Sequence, residues 1–110
     1  MGFTDEVWRV VAREDGRTVG HITIEVADFP WLSGRFTPGP AFESVRPLFD
    51  HELALLDRID ENQAAWEASY DAVERAVSLH SPTGPVAEFL LHIKGDRAWF
   101  RWSDTPFPED

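Results

Sequence analysis

No cysteine occurs among the 110 residues. Disulfides, thiolate zinc sites and cysteine nucleophiles are all excluded by that one absence. Lysine is nearly missing as well, since Lys94 is the single exception among ten basic residues. No apolar run approaches the ~20 residues that a membrane span requires. The opening Met1-Gly2-Phe3-Thr4-Asp5-Glu6 lacks the basic-then-apolar pattern of a signal peptide. Glu6 also stands where a myristoylation signal needs Ser or Thr. A cytoplasmic protein without membrane contact is the expectation.

Local catalytic signatures are missing too. No serine sits in a Gly-x-Ser-x-Gly elbow, and Gly34 and Gly39 lack the spacing and lysine of a phosphate loop. The four histidines, His21, His51, His80 and His92, form no His-x-x-x-His or Glu-x-x-His pattern on a helix. Neither a metal nor any other cofactor is expected. Twenty acids against ten bases give a net charge of −10. That balance disfavours nucleic acid and anionic membranes, and favours solubility or a basic partner.

What is present is alternation. Trp8, Val10 and Ala12 point one way while Arg9, Val11 and Arg13 point the other. After Glu14-Asp15-Gly16 the pattern resumes, with Gly20, Ile22 and Ile24 apolar and Val19, His21 and Thr23 opposite. A three-residue loop with Gly16 in the left-handed conformation sets Trp8 across from Ile22 and makes one continuous apolar face. Near the C-terminus, Gly95-Asp96 makes a two-residue turn that pairs Phe89 with Trp102, Leu91 with Phe100 and Ile93 with Ala98. His92 then faces Trp99, and Leu90 faces Arg101. Val77 and Leu79 are expected to extend this second hairpin, with His80 opposite Glu88.

Helical spacing fills the middle. Phe42, Val45, Phe49, Leu53 and Leu56 recur with a period near 3.6, and Pro47 predicts either a kink or a second start capped by Ser44. Asp60 with Gln63 resembles a capping box, followed by Trp66, Tyr70 and Val73 as the buried stripe. The expected fold is therefore α+β with two layers, an antiparallel sheet of two hairpin units carrying two helices on one face. All of residues 1–110 form one domain in this reading, with 103–110 a loosely held tail. The stretch Asp28–Phe42, "DFPWLSGRFTPGPAF", joins the second strand to the helices, and Leu32, Gly34 and Phe36 alternate as a short third strand would.

Charge is distributed unevenly. Residues 41–76 hold nine acids against three arginines, a net −6. The outward strand face carries Arg9, Arg13, Arg17, Lys94, Arg97 and Arg101 against Glu25 and Glu88, a net +4. Arg13 with Arg17, and Lys94 with Arg97, place like charges across from each other, an arrangement tolerable beside the turn acids Asp15 and Asp96. Trp99, flanked by Leu90, His92 and Arg101, is the best candidate for a partner contact, because Trp and Arg are enriched at interface anchors. Trp31 or Phe29 offers a second anchor.

Two functions follow as expectations. The first is a small acidic, non-catalytic interaction domain that binds a protein partner or a second copy, as an inhibitor or immunity-type protein does. The second is a small-ligand or enzymatic domain with a site between segment 29–42 and the sheet, using His21, Arg35 or His92.

Overall fold

Both hairpins form in the register that their apolar faces dictate. The computed structural model describes residues 4–28 and 31–103. β1 (Val7–Ala12) and β2 (Thr18–Asp28) pair with Trp8 across from Ile22 and Val10 across from Gly20. Gly16 takes φ +73°, the left-handed turn geometry that suits glycine. β6 (Glu88–Lys94) and β7 (Arg97–Ser103) pair Phe89 with Trp102, Leu91 with Phe100, His92 with Trp99 and Lys94 with Arg97.

The stretch between the second strand and the helices proves to be the seam of the sheet. β3 (Trp31–Pro38) pairs with β2 on one side and β7 on the other, so it stitches the two hairpins together. β4 (Val77–Ser81) departs from expectation: it pairs with β1, placing His80 across from Arg9 rather than Glu88. The two-residue β5 (Gly84–Pro85) folds back on β4, and Pro85 is His80's other neighbour. Among the described residues one antiparallel sheet of seven strands results, in the order β5-β4-β1-β2-β3-β7-β6.

The sheet is strongly curled. Three strand spacings separate β1 from β7, roughly 14 Å in a flat sheet. Yet the Trp8 ring lies 4.8 Å from Phe100 and 5.3 Å from Trp102, centroid to centroid. Gly34 permits this curvature, since a Cβ there would stand 1.9 Å from the carbonyl oxygen of Thr23. A β-bulge between Val10 and Val11 adds twist. It also turns Val19, expected outside, fully into the core. The same shift puts Arg17 beside Ala12, whose N–H donates to the Arg17 carbonyl, so Arg17 does not oppose Arg13.

Two helices fill the concave side. α1 (Phe42–Leu56) runs through Pro47 without a second start, because Pro47 is on the exposed side while Val45 and Phe49 hold the buried one. Glu52, not Leu53, takes the next buried position. α2 (Ile59–Ala76) has a non-helical residue at Asn62, and Gln63 donates forward to Glu67 instead of closing a box with Asp60. α1 packs on β6 and β2, and α2 packs on β4. One apolar core unites both layers, from Trp8, Ile22 and Phe36 through Phe49 and Val73 to Leu91 and Phe100. The expected anchor Phe29 and the tail beyond Ser103 lie outside the described residues.

Among the described residues the outer edge of β6 has no strand partner, and Tyr70 takes that place. Its hydroxyl donates to the Phe89 carbonyl at 3.0 Å and accepts the Leu91 N–H at 2.6 Å. Burial pushes the phenol well above its ordinary pKa, so it stays a donor at every working pH. Tyr70→Phe strands two buried backbone groups and should cost about 1–3 kcal/mol. Urea unfolding of the two proteins checks this, and equal midpoints would show that the edge is satisfied otherwise.

Candidate interaction face

The pairing of β3, β7 and β6 arranges their outward side chains in rows. Trp31, Arg101 and Leu90 form one row; Ser33, Trp99 and His92 form the next; Arg35, Arg97 and Lys94 form the third. All five residues singled out from the sequence, Leu90, His92, Trp99, Arg101 and Trp31, therefore fall in two adjacent rows of one face. Two of those pairings are local to a hairpin. Trp31 joins them through β3, some seventy residues earlier in the chain.

His92, expected to flank Trp99 on the outward strand face, is covered there. It is 2 % exposed. The Trp31 ring leans across β7 to stack on the imidazole at 6.2 Å and 21°, and Trp99 stands 5.4 Å away on the neighbouring strand. From the edge of the sheet α1 brings Glu52, whose Oε1 accepts from His92 Nδ1 at 2.8 Å. The other carboxylate oxygen accepts the Trp66 indole N–H at 2.7 Å. Glu52 has no solvent exposure at all, so both of its oxygens must find partners inside the protein, and both do.

Glu52 was the residue missed in sequence. One of the nine acids of residues 41–76, it continues the stripe Val45, Phe49 at the i+7 position. That periodicity was readable. Its partner, forty residues away on a strand, was not.

Chemically the pair can set the imidazole tautomer, as a carboxylate does for a base. The nearest hydroxyl in the same row is Ser33, two strands over and roughly 10 Å away, with Trp99 between. The pair holds His92 in place against Trp31, Trp99 and Tyr70.

The third row is cationic. Arg35, Arg97 and Lys94 lie side by side, and Glu25 from the second bulge of β2 pairs with Arg97. Further along the outer face, His80 is held below its usual pKa by burial and by the charges of Arg9 and Arg13.

Of the residues named for the alternative ligand site, His21 and Arg35 are diagonal neighbours across β2 and β3, because His21 pairs with Thr37 and Thr23 with Arg35. His21 lies opposite Arg9 and Thr37, Arg35 lies opposite Arg97, and His92 is enclosed. Since residues 31–38 are themselves a strand of the sheet, a site involving them has to lie on a face of that sheet. A 440 Å³ open cavity at the end of the stretch is lined by Pro38, Phe42, Arg46 and Ile93, without any of those three residues. Among the described residues, no group of three or more potential ligands is placed to hold a metal ion. No helix among them is long and apolar enough to cross a membrane.

Comparison with protein-family models, curated protein sequences and solved structures finds no match to this chain.

Removing one member of a buried polar pair leaves the other uncompensated, at a cost of about 3–5 kcal/mol. Glu52→Ala and His92→Ala should each lose on that order. Glu52→Leu combined with His92→Leu should recover much of it, because apolar groups leave nothing stranded except the Trp66 indole. Denaturant unfolding of the singles and the double tests this, and strictly additive losses would mean that the two residues do not act as a pair.

Proposed function

We propose that the chain is a non-catalytic protein-binding domain that works through the outer face of β3, β7 and β6. The observation carrying this reading is that Trp31 and Trp99 both pack against one buried, hydrogen-bonded imidazole. Two half-exposed tryptophans on a solvated sheet would ordinarily be free to adjust. Here their common support is fixed from below by Glu52, which lowers the ordering cost of using them as contacts. Leu90 and Arg101 extend the apolar centre, and the cationic row borders it, which matches the anatomy of an interface with aromatic anchors and a polar rim. His92 in this account supports the contact residues and does not touch the partner.

The partner is a different protein that the domain occupies, as an inhibitor or immunity-type protein would. A cytoplasmic setting fits this role. The cationic row of Arg35, Arg97 and Lys94 beside the anchors favours a partner that brings acidic groups to this face.

Affinity capture from the native host, followed by titration of the captured partner, tests the reading. Trp99→Ala should weaken binding by roughly 2 kcal/mol or more, and Arg101→Ala should weaken it as well. Both should unfold well above Phe100→Ala, whose loss from the core costs about 3–5 kcal/mol. Light scattering separates the second-copy alternative, since a homodimer through this face would dissociate in Trp99→Ala. Unchanged affinity and unchanged assembly in both variants would refute the proposed face.

A further inference from the structure

Around the edge of β6 from this face lies an apolar groove of about 270 Å³ between α2 and the strand. Its floor is Trp66, Tyr70, Phe89 and Leu90. Trp66 stacks on Tyr70 at 5.6 Å and 19°, so the two rings present a flat slot. Neither ring is free to turn away: the indole is held by Glu52, and the phenol by the β6 backbone.

We infer that this groove receives an arginine side chain from a protein partner, its guanidinium laid on the Trp66 ring and held by the carboxylates of Glu74 and Glu88. Charge complementarity selects this occupant. Glu67, Asp71, Glu74 and Glu88 rim the groove, and among the described residues no cationic side chain lines it. Glu74 and Glu88 approach within hydrogen-bonding reach, a like-charge contact that costs stability unless a proton or a cation is shared between them. Burial and Glu88 together raise the Glu74 carboxyl above its ordinary pKa, with Asp71 adding and Arg13 opposing. Arg75 is turned to Asp71 at 3.2 Å and is not part of the groove lining.

Arginine fits better than lysine for geometric reasons. Its planar fork can meet two carboxylates while its face stacks on an aromatic ring, and it gives up its hydration more readily than an ammonium. The groove is separate from the sheet face, although Leu90 borders both. Its occupation does not depend on Trp99.

The sign of the pH effect follows from the raised carboxyl. Folded protein holds the Glu74 proton more tightly than unfolded protein does. Stability therefore falls as pH rises through the window just above the ordinary carboxylate range. Glu88 and Asp71 oppose ionisation, whereas Arg13 favours it. Glu74→Gln should melt higher than the parent at pH 7 and lose that part of the pH slope.

The direct test uses the full chain and three small probes, the acetylated amides of arginine, lysine and citrulline, followed by two-dimensional NMR. Arginine amide should shift the Trp66 indole N–H and the Phe89 and Leu90 amides saturably. The uncharged citrulline amide should not, and the lysine amide should bind several-fold more weakly. Glu74→Gln with Glu88→Gln should weaken the arginine response at least five-fold without lowering the melting temperature, and Trp99→Ala should leave it unchanged. An equal response to lysine or citrulline, or an arginine response indifferent to the double substitution, would overturn the inference. Loss of arginine binding in Trp99→Ala would instead assign the probe to the sheet face.

Discussion

A carboxylate with no access to water sits where the two layers of the fold meet. Glu52 reaches His92 of β6 with one oxygen and Trp66 of α2 with the other, so a single side chain on α1 ties both other elements to itself. Burying that charge is costly, and only full hydrogen bonding makes it tolerable. Because both partners are aromatic, the carboxylate fixes ring planes as well as backbone positions. On the outer side it props His92 under Trp31 and Trp99. On the other side it holds Trp66 as the floor of the groove. The two surfaces proposed for binding are therefore opposite ends of one polar contact.

Curvature brings these groups together. In a flat sheet the helices would cover the inner face and leave β6 as an open edge far from β4. Curling shortens that gap until α1 and α2 can fill it, with Tyr70 meeting the backbone groups that a further strand would have met. An edge closed by a side chain is also protected against pairing with another chain. Residues 86 and 87 complete the closure at one end, since the Val86 N–H donates to Leu79 and the Ala87 N–H donates to Ser103. The two sides of the molecule thus differ in charge: a curled, arginine-rich sheet outside and an acidic helical pair filling its opening.

The two hairpins were readable because alternation and turn chemistry act locally, and each admits one register with an unbroken apolar face. The strand from Trp31 to Pro38 was half readable: its alternation is plain, but its partners lie far away in sequence. β4 was misplaced for the same reason, since Val77 and Leu79 match the apolar pattern of β1 as well as that of β6. Only the curl and the short return of β5 decide between them. The bulge that buries Val19 has no composition signal. At the candidate face, alternation correctly set Leu90, His92, Trp99 and Arg101 on one side, but not which of them would be covered. That depends on Trp31 leaning across β7 and on Glu52 arriving from a helix, both tertiary events.

The most direct test of this account is solvent exchange at the tryptophan side chains, followed by NMR. If Glu52 bridges His92 and Trp66 as described, the Trp66 indole N–H should exchange as slowly as core sheet amides. Replacing Glu52 by Ala should expose it and should at the same time move the Trp31 and Trp99 resonances on the other side of β6. A rapidly exchanging Trp66 indole in the parent protein, or unmoved Trp31 and Trp99 resonances in Glu52→Ala, would contradict the account.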